Sequence, residues 1–223
     1  MNWRDEGYLL SKRNFDENSI IIECFTYSHG KYSGIVYGGS SRRKKTIFQV
    51  GNKILLNYKS KNQNKIGYFT TELIQPVSAK YFDDKKRSIC ILAAASFLKI
   101  LLPERQINKK IYNSFEKMTN QFYLDDWIKI YIYWELSLVK ELGYEVILPD
   151  KGILGDTISK NIEINEKYFK VPDLLLNHSS KVFSNADIRE ALLFNKNIIL
   201  ENFIKPYNLK IPNSRNILEK YFI

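Results

Sequence analysis

The sequence predicts an α+β fold in which a five-stranded β-barrel precedes an α-helical domain. Three observations carry this expectation. Short segments rich in Ile, Val, Tyr, Phe and Thr, separated by turn residues, fill the first third of the chain, and from Asp83 the apolar residues recur at helical spacing instead. Between Glu23 and Glu72 there is no Asp or Glu, whereas Lys31, Arg42, Arg43, Lys44, Lys45, Lys53, Lys59, Lys61 and Lys65 all stand there. A strand-patterned segment with charge of one sign displays that charge from a folded module and attracts polyanions.

The strand candidates are Gly7 to Arg13, Ser19 to Thr26, Lys31 to Tyr37, Lys53 to Tyr58 and Lys65 to Ile74. Their β-branched and aromatic residues suit a pleated, half-buried surface. Ser28-His29-Gly30 fits a tight connection with a positive φ at Gly30, and Lys61-Asn62-Gln63-Asn64 a polar loop. Gly38-Gly39-Ser40-Ser41 opens a longer excursion through the Arg-Lys cluster. Five strands with a long connection between the third and fourth are the layout of an OB-fold barrel, assigned to residues 1–78.

Residues 79–223 form the expected helical domain. Ile89, Leu92, Ala93, Phe97, Ile100 and Leu101 mark its first helix, with Asp83 and Asp84 at the positive end and Pro103 after the stop. Ile107 to Phe122 reads as a second helix. Asp125 to Leu142 reads as a third, with Gly143 as a left-handed cap and a packing stripe of Trp127, Tyr131, Trp134, Leu138 and Leu142. An irregular insert is expected at about 144–182, and closing helices at Asn185 to Ile204 and Pro212 to Phe222.

At 223 residues, net charge +10 and 44% hydrophobic residues, the chain is too apolar for disorder and favours anionic partners. Cys24 and Cys90, far apart and without Cys-x-x-Cys spacing, read as buried thiols of a reducing cytoplasm. The start lacks a signal peptide, and Ile89 to Leu98 is shorter than the about 20 residues a membrane span needs. Catalytic motifs are absent: no Walker loop, no G-x-S-x-G, no H-E-x-x-H, no G-x-G-x-x-G. His29 and His178 have no neighbouring metal ligands in sequence, and Asp83-Asp84 and Asp125-Asp126 lie where helix dipoles explain them. Glu135 reads as buried and paired. No enzyme activity, cofactor or metal is expected.

Several segments occur in a telling order: Trp3-Arg4-Asp5-Glu6-Gly7-Tyr8-Leu9-Leu10-Ser11, Thr26-x-x-His29-Gly30-Lys31, Gly38-Gly39-Ser40-Ser41-Arg42-Arg43, Leu102-Pro103-Glu104-Arg105, Trp134-Glu135-Leu136 running to Leu142-Gly143-Tyr144, and Ile211-Pro212-Asn213-Ser214-Arg215. Their succession resembles the RecO family of bacterial recombination mediators over nearly the whole chain. The resemblance implies an N-terminal OB-fold joined to a helical domain, and a role in DNA repair and recombination after DNA damage. It also implies binding of single- and double-stranded DNA, annealing of complementary strands without nucleotide hydrolysis, and help in loading RecA onto strands coated by single-stranded DNA-binding protein (SSB). The implied partners are RecR and the acidic C-terminal tail of SSB. Many members carry a four-cysteine zinc site after the Leu-Gly element; the matching stretch here, Glu145 to Lys151, has no cysteine, so zinc does not carry over.

The residues expected to hold nucleic acid are Lys31, Arg42, Arg43, Lys44, Lys45, Lys53, Lys59 and Lys65, with Tyr37, Tyr58 and Tyr68 placed to stack on bases. A solvated loop for the Arg-Lys cluster, and core or surface packing for the tyrosines, are the plainer readings. Lys109 and Lys110 are candidates to receive the SSB tail. Rival functions are an RNA-binding OB-fold protein of translation or RNA processing, a nuclease or transferase using the paired Asp residues, and an adaptor for an acidic protein.

Overall fold

A computed structural model of the chain describes residues 1–62, 65–144, 146–148, 161–176 and 183–223, with Arg43 by its backbone only. The chain divides into two compact units, Met1–Thr119 and Asn120–Ile223.

In the first unit, β1 (Asn2–Asn14), β2 (Ile20–Thr26), β3 (Gly30–Val36), β4 (Lys53–Lys59) and β5 (Gly67–Gln75) close a barrel in the order β1-β2-β3-β5-β4. All five expected strands are present, and the long connection lies between β3 and β4. β1 starts at Asn2 rather than Gly7 because its first half pairs with β4 while its second half pairs with β2. A bulge between Leu9 and Ser11 bends the strand so that it serves both neighbours. The barrel is filled by Leu9, Ile22, Cys24, Ile54, Leu56 and Phe69 among others, with Trp3 packed against them.

Three helices follow: α1 (Val77–Lys80), α2 (Lys85–Leu101) and α3 (Lys109–Gln121), of which the first unit includes residues up to Thr119. They lie against the outside of the barrel. Tyr8 meets Phe115 edge-on with centroids 4.9 Å apart, and Phe25 lies 5.6 Å from Tyr112. Gly7 to Leu10 are therefore buried in succession, where a barrel strand with one wet face would alternate. Gly30, at φ 75°, makes the β2–β3 turn, and a Cβ there would sit 2.2 Å from the carbonyl oxygen of Gln106. Next to it the Arg105 amide donates to the Lys31 carbonyl at 2.9 Å, so the His29-Gly30-Lys31 and Leu102 to Arg105 segments meet.

The second unit contains α4 (Trp127–Glu141), a hairpin of β6 (Asn161–Ile164) and β7 (Lys167–Lys170), α5 (Asp173–Leu176), α6 (Asn185–Ile199) running into a π-helical turn at Leu200–Ile204, and α7 (Asn213–Lys220). Trp127, Tyr131, Trp134 and Leu138 are buried as the stripe on α4 predicts, and Gly143 takes φ 98°. Ser184 and Asp187 form a capping box on α6. Part of the segment expected to be irregular is thus an ordered hairpin, fastened by Lys167 Nζ and the Asn165 amide to Glu201. Residues 149–160 and 177–182, His178 among them, lie outside the described residues, as does Glu145.

At the centre of this unit Glu135 and Arg215 are fully buried, with Arg215 Nε donating to Glu135 Oε1 at 2.6 Å and one terminal nitrogen donating to Oε2 at 3.2 Å. Tyr131 and Asn195 donate to the same carboxylate, and Arg215 also binds the Leu192 carbonyl and Glu219. Burial acts to lower the affinity of Arg215 for its proton, but the Glu135 carboxylate raises it further, so the guanidinium stays charged. Trp134-Glu135-Leu136 and Ile211 to Arg215 are therefore two halves of one ion pair. Cys24 and Cys90 are buried free thiols.

Candidate nucleic-acid interface

Four basic residues of the acid-free stretch, Arg42, Lys44, Lys45 and Lys59, gather along one strip of the barrel and its β3–β4 connection. Lys59 on β4 and Tyr68 on β5 are cross-strand partners in an antiparallel pair, so their side chains share a face, and both are exposed. Tyr68 is in turn paired with Ile35 on β3, which brings it level with Tyr37 just beyond that strand's end. The two rings stack with centroids 5.2 Å apart and planes 25° from parallel. Lys44 Nζ donates to the Tyr37 carbonyl at 3.3 Å.

Arg42, Arg43 and Lys44 form a 3₁₀ turn, held by the Lys44 amide on Ser41 and the Lys45 amide on Arg42. Before it, Gly38 takes φ 66°, and the Gly39 and Ser41 amides bond back to Val36 and Gly38. The Gly-Gly-Ser-Ser run is a turn with its amides engaged rather than a phosphate cradle. Beyond the cluster lies Lys12 of β1, whose ammonium is held below the usual lysine value by burial and by repulsion from Lys45. Lys12 also lines a groove of about 210 Å³ with Val50, Phe82, Ile91 and Leu92.

One carboxylate, Asp16, acts on Tyr37. It lies below the usual carboxylate range because the Asn18 amide, and after it Ser19, donate to it, which ties it to the β1–β2 turn.

Of the residues expected at the site, Tyr37, Arg42, Lys44, Lys45 and Lys59 belong to this strip. The backbone of Arg43 lies in the turn, and its side chain is outside the described residues. Lys65 is exposed in the β4–β5 connection. Three residues are committed elsewhere. Lys31 is buried, donating to the Lys99 carbonyl at 2.6 Å and lying 3.6 Å from Glu23, so its charge fastens α2 to β3. Lys53 bridges Glu116 at 2.6 Å and Glu6 at 2.8 Å. Burial acts to lower its pKa, but the bonds to those carboxylates leave it raised. Tyr58 is in the core, stacked 4.9 Å from Trp3, its hydroxyl accepting from the Gly67 amide.

Lys12 was missed because it lies outside the acid-free segment, and only the course of β1 past the 3₁₀ turn brings it to Lys45. Lys109, a candidate for the SSB tail, lies exposed over the Tyr27 ring at 4.7 Å, and Lys110 is exposed on α3. Among the described residues no three His, Cys, Asp or Glu group as metal ligands would, and Asp84 caps α2 by accepting from the Arg87 amide. Among the same residues no helix is long and apolar enough to cross a membrane.

Residues 1–77 match the family model "Recombination protein O N terminal" and residues 83–193 match "Recombination protein O C terminal". Among curated proteins, "DNA repair protein RecO" of Roseobacter denitrificans is 33% identical over 156 residues, covering 70% of this chain and 65% of that protein. The protein of the same name from Cereibacter sphaeroides is 33% identical over 157 residues, with 70% and 65% covered. That of Caulobacter vibrioides is 31% identical over 156 residues, with 70% and 64% covered. The matched part of the chain thus spans about 65% of the length of these relatives.

Proposed function

The chain belongs to the RecO family of recombination proteins, and from that premise we propose that it is a cytoplasmic DNA repair and recombination mediator whose barrel strip binds single- and double-stranded DNA. Its function is to anneal complementary strands and, with RecR and the acidic tail of SSB as partners, to help load RecA onto SSB-coated single strands. The reading is that of a mediator and not of an enzyme.

The observation that supports it is the strip itself, where Lys59, Tyr68, Tyr37, Lys44, Lys45 and Lys12 follow one another on an exposed barrel face. Annealing requires no bond to be broken by the protein. Two phosphate chains must approach against their repulsion, and fixed cations lower that cost while releasing counterions. Arg42 offers bidentate contact to phosphate, and the lysines act as mobile point charges. The family match speaks for DNA over the RNA reading.

Annealing of complementary oligonucleotides without ATP, bare and SSB-coated, tests the proposal. Acceleration of both is expected from the full chain. Replacing Arg42, Arg43, Lys44 and Lys45 by Ala should weaken DNA binding and flatten its salt dependence, with melting unchanged. Affinity that stays the same at several salt concentrations would remove the cluster from the site.

A further inference from the structure

Resting on the reading of the strip as a DNA surface, we propose that the stacked pair Tyr37 and Tyr68 is a base-stacking platform that makes this face select single-stranded over duplex DNA. Most large aromatic side chains of the barrel, such as Tyr8, Phe25, Tyr58 and Phe69, are buried, whereas Tyr37 and Tyr68 remain 59% and 42% exposed. Their exposure comes with order. Tyr68 sits where β3 and β5 close the barrel through Gly34–Gly67 and Ile35–Tyr68, so its backbone is held on two sides. Tyr37 lies stacked on Tyr68, and the contact between the two side chains lifts its hydroxyl above the usual phenol value. Fixed rings cost little further entropy when a ligand stacks on them.

The cations flank the rings. Lys59 is the cross-strand neighbour of Tyr68, and Lys44 reaches the Tyr37 carbonyl. A strand laid along this line meets a positive charge, two aromatic rings and a positive charge in succession. Duplex DNA can use only the charges, because its base faces are already stacked on one another. A single strand can use both, since its bases turn out freely and every base has a π-face. Charge therefore gives affinity for either form, and the tyrosines give the difference between them.

Fluorescence anisotropy of the full chain tests this with three labelled probes of equal phosphate number: oligothymidine, its abasic analogue and a blunt duplex. Y37S/Y68S should lose about tenfold or more on oligothymidine, as a base stack of about 1–3 kcal/mol requires. The duplex should change by less than about twofold, and the slope of log affinity against log salt should stay the same, because no phosphate contact is lost. Abasic strand should bind the unaltered protein about as weakly as oligothymidine binds the variant. Y68W, which keeps a broad ring, should keep the affinity, and equal melting temperatures establish that each variant is folded. Equal loss on single strand and duplex, or full affinity for the abasic strand, overturns the inference and leaves the DNA-binding reading standing. Failure of the unaltered protein to bind any probe overturns both.

Discussion

At the scale of single residues, the decisive question for each cation is what else its charge touches. Lys31 and Lys53 are engaged with Lys99, Glu23, Glu6 and Glu116, so K31A and K53A should lower stability while leaving the salt slope of DNA binding unchanged. Loss of Arg42, Lys44 or Lys45 should instead reduce that slope by roughly 0.9 per phosphate contact removed. Salt titration of the single variants separates the two groups. The Lys53 pairing has a defined pH window. Its pKa is raised in the fold, so its contribution is complete below the ordinary lysine value of 10.5 and fades as pH rises through the folded value. Glu135 and Arg215 behave differently because both are fully buried. R215L strands a carboxylate in the core and should cost about 3–5 kcal/mol, whereas E135L/R215L should cost less than the two single changes added together. Denaturant unfolding followed through Trp127 and Trp134 checks this coupling. That Glu135 is buried and paired was readable from its place between Trp134 and Leu136; its partner, 80 positions further along the chain, was not.

Among elements, the strands and long helices follow periodicity closely. Asp84 shows how a local signal becomes a structural one: it caps α2 through the Arg87 amide and also pairs with the Arg87 guanidinium. Burial acts to raise its pKa, yet those bonds leave it lowered. Its contribution is therefore complete above the ordinary aspartate value of 3.8 and is lost as pH falls through the folded value. D84A should cost about 1 kcal/mol at neutral pH, and that difference should shrink in acid, as thermal melts at both conditions would record. Two elements escaped the pattern for physical reasons. The first five residues of β1 hold one apolar side chain, Trp3, beside three consecutive charges, Arg4-Asp5-Glu6, and pairing with β4 extends the strand through them. The β6–β7 hairpin has only four residues per strand, too few for a period to declare itself, and its turn puts Asn165 and Glu166 at φ 50° and 64°. Asn suits that conformation, whereas Glu gives no turn signal.

On the scale of the whole molecule, the compact unit that contains the barrel continues to Thr119. Tyr8, Phe25 and the Lys53–Glu116 ion pair depend on α3, and Gly51 packs so closely on Ile91 of α2 that a Cβ would lie 2.3 Å from it. A fragment of residues 1–121 should therefore unfold cooperatively, while one of residues 1–78 should expose the outer aromatic face of β1 and β2 and aggregate. Circular dichroism melts and sedimentation of the two fragments decide it. The sequence by itself determined the barrel, the helices after it and the cationic character of the β-rich third, because period, turn chemistry and net charge are properties of neighbours along the chain. Only the tertiary structure decided which cations are free. A lysine whose ammonium is neutralised by Glu116 and one that faces solvent are identical in sequence, and the difference arises from contacts between positions far apart along the chain.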